Sequence, residues 1–319
     1  MPDTYSTNRE SLLEWLKKIV DEGYEVWAPS GERFEIVQDV EKVSLDYENT
    51  VVPPKEIGFP QTEKLLEFDF TGKLNAKLPD TKKRVIFGIR PCDARAMKIL
   101  DIVFLKDFFD PYYYARKSES VLVVLACDEY CKDGFCNAVG SSPRDPEGAD
   151  ILITKINEDR YQIEVFTERG RAILDNEFEK SDRVEIKMPE PVYNKDLSKA
   201  DEWLSKKFES QEWEKFARKC ISCGICTFLC PTCHCFDITD TKNCRIRTWD
   251  SCQFPEYTVH TSGHNPRPER THRMRNRVLH KFLYFKERNN EIMCVGCGRC
   301  VRHCPEGIDI REIVESMED

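Results

Sequence analysis

The sequence predicts an α+β or α/β protein, in which a mixed-sheet N-terminal domain is followed by a smaller helical domain. Short apolar runs alternate with segments of helical periodicity up to about residue 195, a texture typical of strands interleaved with helices. From residue 196 onward, charged helical segments accompany two dense blocks of cysteine. A chain of 319 residues is long enough for two domains that each bury a core. We therefore predict domains at 1–195 and 196–319.

The elements of the N-terminal domain follow from its apolar patterning. Apolar residues between Leu12 and Val20 recur at helical spacing, and Gly23 ends that helix before a short strand at 24–27. The other predicted elements are buried strands at 84–89 and 121–126, a helix at 94–102 and two strands joined by a polar turn at 150–154 and 161–166. The C-terminal domain is predicted to begin with a charged helical stretch at 196–219.

Composition excludes several classes of function. With 40% hydrophobic and 33% charged residues, the chain is neither fibrous nor disordered. Its longest apolar run, 121–127, is far shorter than the about 20 residues of a membrane helix, so no membrane span is predicted. The net charge of −9 argues against nucleic-acid binding. The first ten residues lack the pattern of a secretory signal, so we expect a cytoplasmic protein.

The cysteine content indicates metal ligation. The chain has 16 cysteines, and cysteines of a cytoplasmic protein stay reduced. Metal binding or redox chemistry is therefore a better explanation for them than disulfide bonds.

Eight cysteines form two copies of the run Cys-x2-Cys-x2-Cys-x3-Cys-Pro, which is the bacterial run for a 4Fe–4S cluster. Three thiolates spaced by two residues can hold three corners of a cubane from one loop, and in two-cluster proteins the fourth cysteine ligates the other cluster. The repeat thus predicts a bacterial dicluster ferredoxin-like helical domain. We assign Cys220, Cys223, Cys226 and Cys304 to the first cluster, and Cys294, Cys297, Cys300 and Cys230 to the second cluster.

Three other interpretations of these cysteines are weaker. A zinc site needs paired arms around one metal rather than two full copies of the run. Residues 230–234 match the haem-attachment pattern Cys-x2-Cys-His, but Cys230 already serves a cluster and no export signal is present. Residues 226–233 have the Cys-x3-Cys-x2-Cys spacing of radical-SAM enzymes, but no barrel-length stretch of about 200 residues follows them.

Four cysteines of the N-terminal domain form a candidate third 4Fe–4S site. Cys92 and Cys127 each follow a predicted buried strand, and Cys131 and Cys136 lie in the short loop after Cys127. Neighbouring parallel strands lie about 4.8 Å apart, so their ends can converge at one edge of the sheet. The alternative is that Cys92 and Cys127 are small buried hydrophobic residues.

The remaining cysteines are Cys233, Cys235, Cys244 and Cys252. Their spacing matches no cluster motif, so we expect them to pack beside the cluster ligands. Ligation of another cluster stays open as the alternative.

The segment 264–288 is strongly basic although the chain is acidic overall. Its charge could neutralise anionic clusters and raise their reduction potentials, or form a docking surface from Arg267 to Lys281 for an acidic partner subunit. A solvated helix face with salt bridges to nearby carboxylates is an equally simple interpretation.

Nucleotide-binding motifs are absent from the sequence. It has no Gly-x-Gly-x-x-Gly after a predicted strand and no Gly-x4-Gly-Lys-Ser/Thr. No cysteine nucleophile with a histidine partner stands out either. The chain is thus predicted to carry electrons without a catalytic site of its own.

Short motifs spread over nearly the whole chain match one known family. They are FGIRPCD at 87–93, ILD at 99–101, DPYY at 110–113, ACDEYC at 126–131, GFC at 134–136, CGIC at 223–226, CPTC at 230–233, WDSCQF at 249–254, GHN at 263–265 and CVGCGRC at 294–300. With these motifs the chain resembles the beta-subunit family of cytosolic sulfhydrogenases, which includes the A subunit of anaerobic sulfite reductase. The resemblance implies an iron–sulfur subunit that passes electrons between a flavin- and NAD(P)-binding subunit and a catalytic partner. That partner would be a hydrogenase, a sulfite reductase or a heterodisulfide reductase subunit.

The sequence thus predicts an electron-transfer iron–sulfur subunit of a cytosolic multi-subunit oxidoreductase. Two alternatives remain. One is a self-sufficient iron–sulfur reductase that acts on sulfite or polysulfide near the strand end at Arg90–Arg95. The other is a zinc-binding scaffold without redox activity.

Overall fold

A computed structural model describes residues 2–69, 71, 73–76 and 78–318. The chain divides into two compact units. The first comprises Met1–Gly58, Pro79–Cys131 and Ser141–Val192, and the second comprises Phe59–Leu78, Lys132–Gly140 and Tyr193–Asp319. The described residues of 59–78 and residues 132–140 therefore group with the C-terminal part of the chain, whereas the predicted domain 1–195 includes them.

The strands and helices of the described residues follow in chain order. The strands are β1 Asp3–Asn8, β2 Glu25–Ser30, β3 Arg33–Ile36, β4 Thr62–Phe68, β5 Leu74–Ala76, β6 Arg84–Ile89, β7 Ser120–Leu125, β8 Ile151–Lys155, β9 Arg160–Val165, β10 Glu179–Lys180, β11 Phe236–Asp240 and β12 Cys244–Trp249. The helices are α1 Arg9–Asp21, α2 Lys55–Gly58, α3 Pro91–Asp101, α4 Pro111–Lys117, α5 Glu168–Ala172, α6 Ala200–Leu204, α7 Glu212–Ala217, α8 Ile225–Phe228, α9 Arg270–Leu279, α10 Phe285–Asn289, α11 Arg299–Arg302 and α12 Ile310–Glu315. None of the described helices is both long enough and apolar enough to cross a bilayer.

The first unit is built on a mixed sheet, as the sequence predicts. Within the described ranges its strand order is β10-β1-β9-β8-β7-β6-β2-β3. Strands β2, β6, β7 and β8 pair in parallel, and the remaining pairings are antiparallel. Every residue of β6 and β7 is buried. Continuous apolar runs of this kind are typical of parallel strands that are covered on both faces.

Helix α1 covers part of this sheet. Asn8 caps the helix by accepting a hydrogen bond from the Ser11 N–H at 2.9 Å, and Gly23 follows its end with a φ of +87°. Trp15 is fully buried and packs edge-on against Phe87 of β6, with ring centroids 6.2 Å apart. The predicted helix at 12–20 is therefore confirmed, and its apolar stripe forms the core of the unit.

The ends of β6 and β7 are tied together by Arg90. Its Nη1 donates to the carbonyl of Ala126 at 2.9 Å, directly after β7. Cys92 lies in the first turn of α3, and the Cys127 N–H donates to the Pro143 carbonyl at 2.8 Å. Both cysteines thus follow neighbouring parallel strands at the same edge of the sheet.

The second unit combines a small sheet with packed helices. Its described strands have the antiparallel order β11-β12-β4-β5. Helices α9 and α10 are joined by a π-helical turn at His280–Tyr284. The two helices and this turn together form one continuous helical rod. Two short helices, α6 and α7, replace the single stretch predicted at 196–219, and their Leu204 and Trp213 belong to the core of the unit.

A buried ion pair links two strands of the small sheet. Arg247 of β12 donates from Nε to the Glu63 carboxylate of β4 at 2.9 Å, and the two side chains are only 4% and 3% exposed. The guanidinium also lies 5.3 Å from the ring centroids of Phe59 and Phe236. Because the charges are removed from water, each depends on the other.

We expect Arg247→Met to destabilise the iron-loaded protein by about 3–5 kcal/mol, because it removes the cation from a buried carboxylate. The measurement is the midpoint of chemical denaturation, followed by circular dichroism. Arg245→Met is the matched control on the same strand, since Arg245 pairs with Asp240 at the exposed surface. Equal midpoints for the two variants would contradict the prediction.

Candidate iron–sulfur centres

The first cysteine run forms a loop that leads into helix α8. Ser222 and Gly224 have φ values of 58° and 78°, which turn the loop sharply. A Cβ on Gly224 would lie 2.7 Å from the ring of Phe254, so only glycine fits this position. The Ser222 N–H points to the sulfur of Cys220 at 3.4 Å. Such N–H groups stabilise thiolates that ligate a cluster.

One cavity of the second unit is lined by all four cysteines assigned to the first cluster. Cys220, Cys223 and Cys226 come from the first run, whereas Cys304 comes from the second run. Cys300 lines the same cavity. The fold therefore brings the last cysteine of one run to the first three cysteines of the other.

Lys281 connects Cys230 of the first run with cysteines of the second run. Its buried Nζ donates to the sulfur of Cys230 at 3.1 Å and to Thr232 Oγ1 at 3.1 Å. The same ammonium acts electrostatically on Cys294, which also interacts with Cys300. Cys230 of the first run thus lies with cysteines of the second run. Cys297 lies between Cys294 and Cys300 on the same loop.

Burial makes these thiols poor acids without a metal. It raises the pKa of Cys226 to about 11 and that of Cys294 to about 12. Iron binds the thiolate, so loading of the site must release protons and stabilise the charged form. The thiolates and the metal therefore depend on each other inside this unit.

Two buried cations face the cysteines. The Nε and Nη2 atoms of Arg277 are buried and have no hydrogen-bond partner among the described residues. Burial opposes the charge of Arg277 and of Lys281, but the neighbouring cysteines outweigh that effect and raise both pKa values well above their ordinary range. Buried donors without acceptors fit an anionic group whose sulfurs accept hydrogen bonds. The residues present thus fit 4Fe–4S clusters.

This placement removes three cations from the docking surface predicted at Arg267 to Lys281. Arg273, Arg277 and Lys281 are only 3–4% exposed, so they are not available to a partner subunit. Arg273 donates from Nε to the Gln253 carbonyl at 2.9 Å. Because Arg277 and Lys281 face cysteines, these two cations are placed to neutralise the clusters. Docking through the outer residues of the segment stays a prediction, since Arg270 is exposed.

The loop of the second run is packed against residues 132–140. Gly296 and Gly298 have φ values of +63° and +76°, and a Cβ on them would lie 2.5 Å from the Cys136 nitrogen and 2.6 Å from the Asp133 carbonyl oxygen. The Phe135 N–H donates to the Gly296 carbonyl at 2.8 Å. Glycine is required at both positions because another backbone segment lies directly on the loop.

The four cysteines of the candidate third site fall into different units. Cys92, Cys127 and Cys131 belong to the first unit, whereas Cys136 belongs to the second. The first unit brings Cys92 and Cys127 to one sheet edge, as described above. The third cluster itself stays a prediction.

The four cysteines outside the predicted cluster sites each contact a specific neighbouring residue. Buried Cys233 is hydrogen-bonded to Cys230, which agrees with the expected packing beside a cluster ligand. Cys235 is hydrogen-bonded to Cys252, a pair that sequence reasoning missed. The antiparallel pairing of β11 with β12 brings the two cysteines together. Predicting this hairpin and its register from the sequence would have identified the pair. Cys244 starts β12, with its sulfur 3.1 Å from Thr241 Oγ1.

Single-ion sites are a separate question from cubane sites. No three His, Cys, Asp or Glu side chains of the described residues stand close enough to hold one metal ion. The ligands of a cubane bind different iron atoms and therefore need not meet at one point.

Comparisons with known proteins agree with this geometry. Residues 219–308 match the family described as 4Fe-4S dicluster domain, a range that contains the whole cysteine repeat. The chain is 32% identical over 306 residues to Sulfhydrogenase 2 subunit beta of Pyrococcus furiosus, which covers 90% of this chain and 89% of that protein. No solved structure matches the chain. Residues 219–308 are therefore a dicluster domain for two 4Fe–4S clusters.

We expect the two runs to exchange their fourth ligands, which paired cysteine variants can test. Cys304→Ala should weaken the same electron paramagnetic resonance signal as Cys223→Ala, because both side chains line one cavity. Cys230→Ala should instead match Cys297→Ala. If Cys304→Ala matched Cys297→Ala, each cluster would be held by its own run and the exchange would be wrong.

We also expect Lys281→Met to lower the reduction potential of the second cluster by on the order of 50 mV or more. Loss of a buried cation disfavours the more negative, reduced state, and about 1.4 kcal/mol corresponds to 59 mV for one electron. A redox titration monitored by electron paramagnetic resonance measures the shift. Lys286→Met is the control, because that ammonium bonds Asp201 at 2.5 Å instead of a cysteine. An unchanged potential in Lys281→Met would contradict the assigned role.

Proposed function

This chain belongs to the family of the sulfhydrogenase beta subunits, and from that premise we propose that it relays electrons between two other subunits of an oxidoreductase. The observation that carries the proposal is the interlocked pair of thiol sets in the second unit. Cys300 lines the cavity of the first set and interacts with Cys294 of the second. Two clusters held by these sets would be close neighbours, as a relay requires.

The proposed partners would supply the nucleotide binding and the substrate conversion for which this sequence has no motif. Its sequence has no dinucleotide or P-loop fingerprint, so a flavin- and NAD(P)-binding subunit would deliver or receive electrons at one end. A hydrogenase, sulfite reductase or heterodisulfide reductase subunit would convert the substrate at the other end. The name of the Pyrococcus furiosus relative, a beta subunit, supports a multi-subunit assembly.

The chain's own residues would set the properties of the relay. A bound 4Fe–4S cluster supplies one-electron transfer. Arg277 and Lys281 stabilise negative charge at the thiol sets, and Lys281 is held in place by its bond to Thr232. Thr232 in turn donates to the Met293 carbonyl at 2.7 Å. This fixed array of donors would stabilise the reduced state without rearrangement.

The alternative of a self-sufficient reductase places its substrate near the strand end at Arg90–Arg95, and both arginines there already have partners. Arg90 is committed to the carbonyl at the end of β7, as described above. Arg95 is buried and pairs with Glu147 at 3.0 Å. Both arginines at this strand end are therefore engaged inside the first unit instead of being open to sulfite or polysulfide.

The relay is tested with the iron-loaded chain alone and in its complex. We expect dithionite to reduce the isolated chain reversibly, and we expect no turnover of NAD(P)H, sulfite or polysulfide until the co-purifying subunits are added. Cys304→Ala should block electron flow through the complex because it removes a ligand. Turnover by the isolated chain at the rate of the complex would show that the chain is itself the reductase.

A third 4Fe–4S cluster at Cys92, Cys127, Cys131 and Cys136 belongs to the same proposal. Three cubanes predict about 12 irons per chain, whereas two predict about 8. Cys131→Ala should lower the iron content by about 4, and the control Cys244→Ala should leave it unchanged. Anaerobic iron and sulfide analysis measures both, and about 8 irons in the fully loaded wild-type protein would remove the third cluster.

A further inference from the structure

The open end of the hairpin β11–β12 brings together two cysteines that neither cluster run contains. Phe236 pairs with Trp249, so Cys235 directly precedes the first strand and Cys252 follows shortly after the second. The Asp250 N–H donates to the Cys235 carbonyl at 2.9 Å and fixes this register. The two side chains are in hydrogen-bond contact.

The two sulfurs have different surroundings. The sulfur of Cys235 receives hydrogen bonds from the side chain and the backbone N–H of Cys252 and from the Tyr257 hydroxyl. These donors outweigh burial and lower the pKa of Cys235 below that of an ordinary thiol. Cys252 is buried, and its sulfur accepts a contact from Gln253 Nε2 at 3.4 Å. One thiolate next to one thiol is the arrangement from which disulfides form.

The pair also lies within electrostatic range of both cluster sites. Cys252 interacts with Cys226, which belongs to the first thiol set. Cys235 interacts with Lys281, whose ammonium is bonded to Cys230 of the second set. Electrons released at the pair would therefore have acceptors nearby in the same unit.

We propose that Cys235 and Cys252 form a redox-active dithiol that exchanges two electrons with the two clusters. In the oxidising direction the S–H bond of Cys252 breaks and an S–S bond forms to Cys235. The thiolate and the thiol together lose two electrons and one proton. One electron passes to each cluster, and the proton is released to solvent. The pair thus couples one-electron carriers to a two-electron step, and it depends on the dicluster domain but not on the partners proposed above.

A reductive titration of the iron-loaded chain tests the dithiol by stoichiometry. After mild anaerobic oxidation, the wild-type protein should accept about two more electrons per chain than Cys252→Ser, since a disulfide takes two electrons. Cys244→Ser is the control, and it should keep the additional two electrons. Equal uptake by the wild type and Cys252→Ser would overturn the proposal. So would a loss of about four irons in Cys252→Ser, because Cys252 would then be a cluster ligand.

Peptide mapping of the wild-type protein gives a second readout that needs no variant. The protein is poised at a series of potentials, quenched in acid, alkylated and digested. We expect a disulfide between the peptides of Cys235 and Cys252 at oxidising potentials and two alkylated thiols after dithionite, with the iron content constant. Two alkylated thiols at every potential at which the clusters survive would overturn the proposal.

Discussion

Negative charge that is buried beside metal must be balanced within the protein, and the second unit depends on this constraint. Eight thiols assigned to two clusters lie in one small unit, and burial raises the pKa of two of them, Cys226 and Cys294. The helical rod formed by α9, the π-helical turn and α10 supplies the balance, since Arg277 and Lys281 project from it toward the cysteines. The buried cations Arg277 and Lys281 of the basic segment are thus explained by the cysteines that they face.

The arrangement of the two cysteine runs is expected to couple metal binding to the folding of the second unit. If each thiol set takes its fourth member from the other run, as the shared cavity of Cys304 with the first run suggests, neither loop can close its set alone. The segment 132–140 packs directly on the loop of the second run. Its backbone lies so close to Gly296 and Gly298 that a side chain at either glycine would collide with it. Binding energy of the metal therefore contributes to the fold of the whole unit, including pieces far away in sequence.

The predictable parts of the fold are those with local signals. The strands β6 and β7 are continuous apolar runs and helix α1 has an apolar stripe, so their patterns alone predicted them. Strands β11 and β12 are short segments that alternate apolar with polar or charged residues inside the cysteine-rich part of the chain, and β12 gains its partner β4 from a distant part of the sequence. The spacing of the cysteines identified the repeat. The burial of Arg277 and Lys281 was harder to predict, because the only sequence feature that indicates it is their separation by about one helical turn, which places both on the same face of the helix. The Cys235–Cys252 pair depends on hairpin register, which no cysteine spacing reveals.

The π-helical turn at His280–Tyr284 carries the lysine that contacts a candidate cluster ligand. Turns of this type are uncommon inside helices and concentrate at functional sites, since the wider backbone re-aims a side chain. Here the turn contains Lys281, which bonds Cys230, and the buried core residue Phe282. An ammonium is costly to bury, and this cost is offset because the sulfur of Cys230 and the hydroxyl of Thr232 accept its hydrogen bonds. The helix therefore departs from regular geometry at the residue whose charge the clusters need.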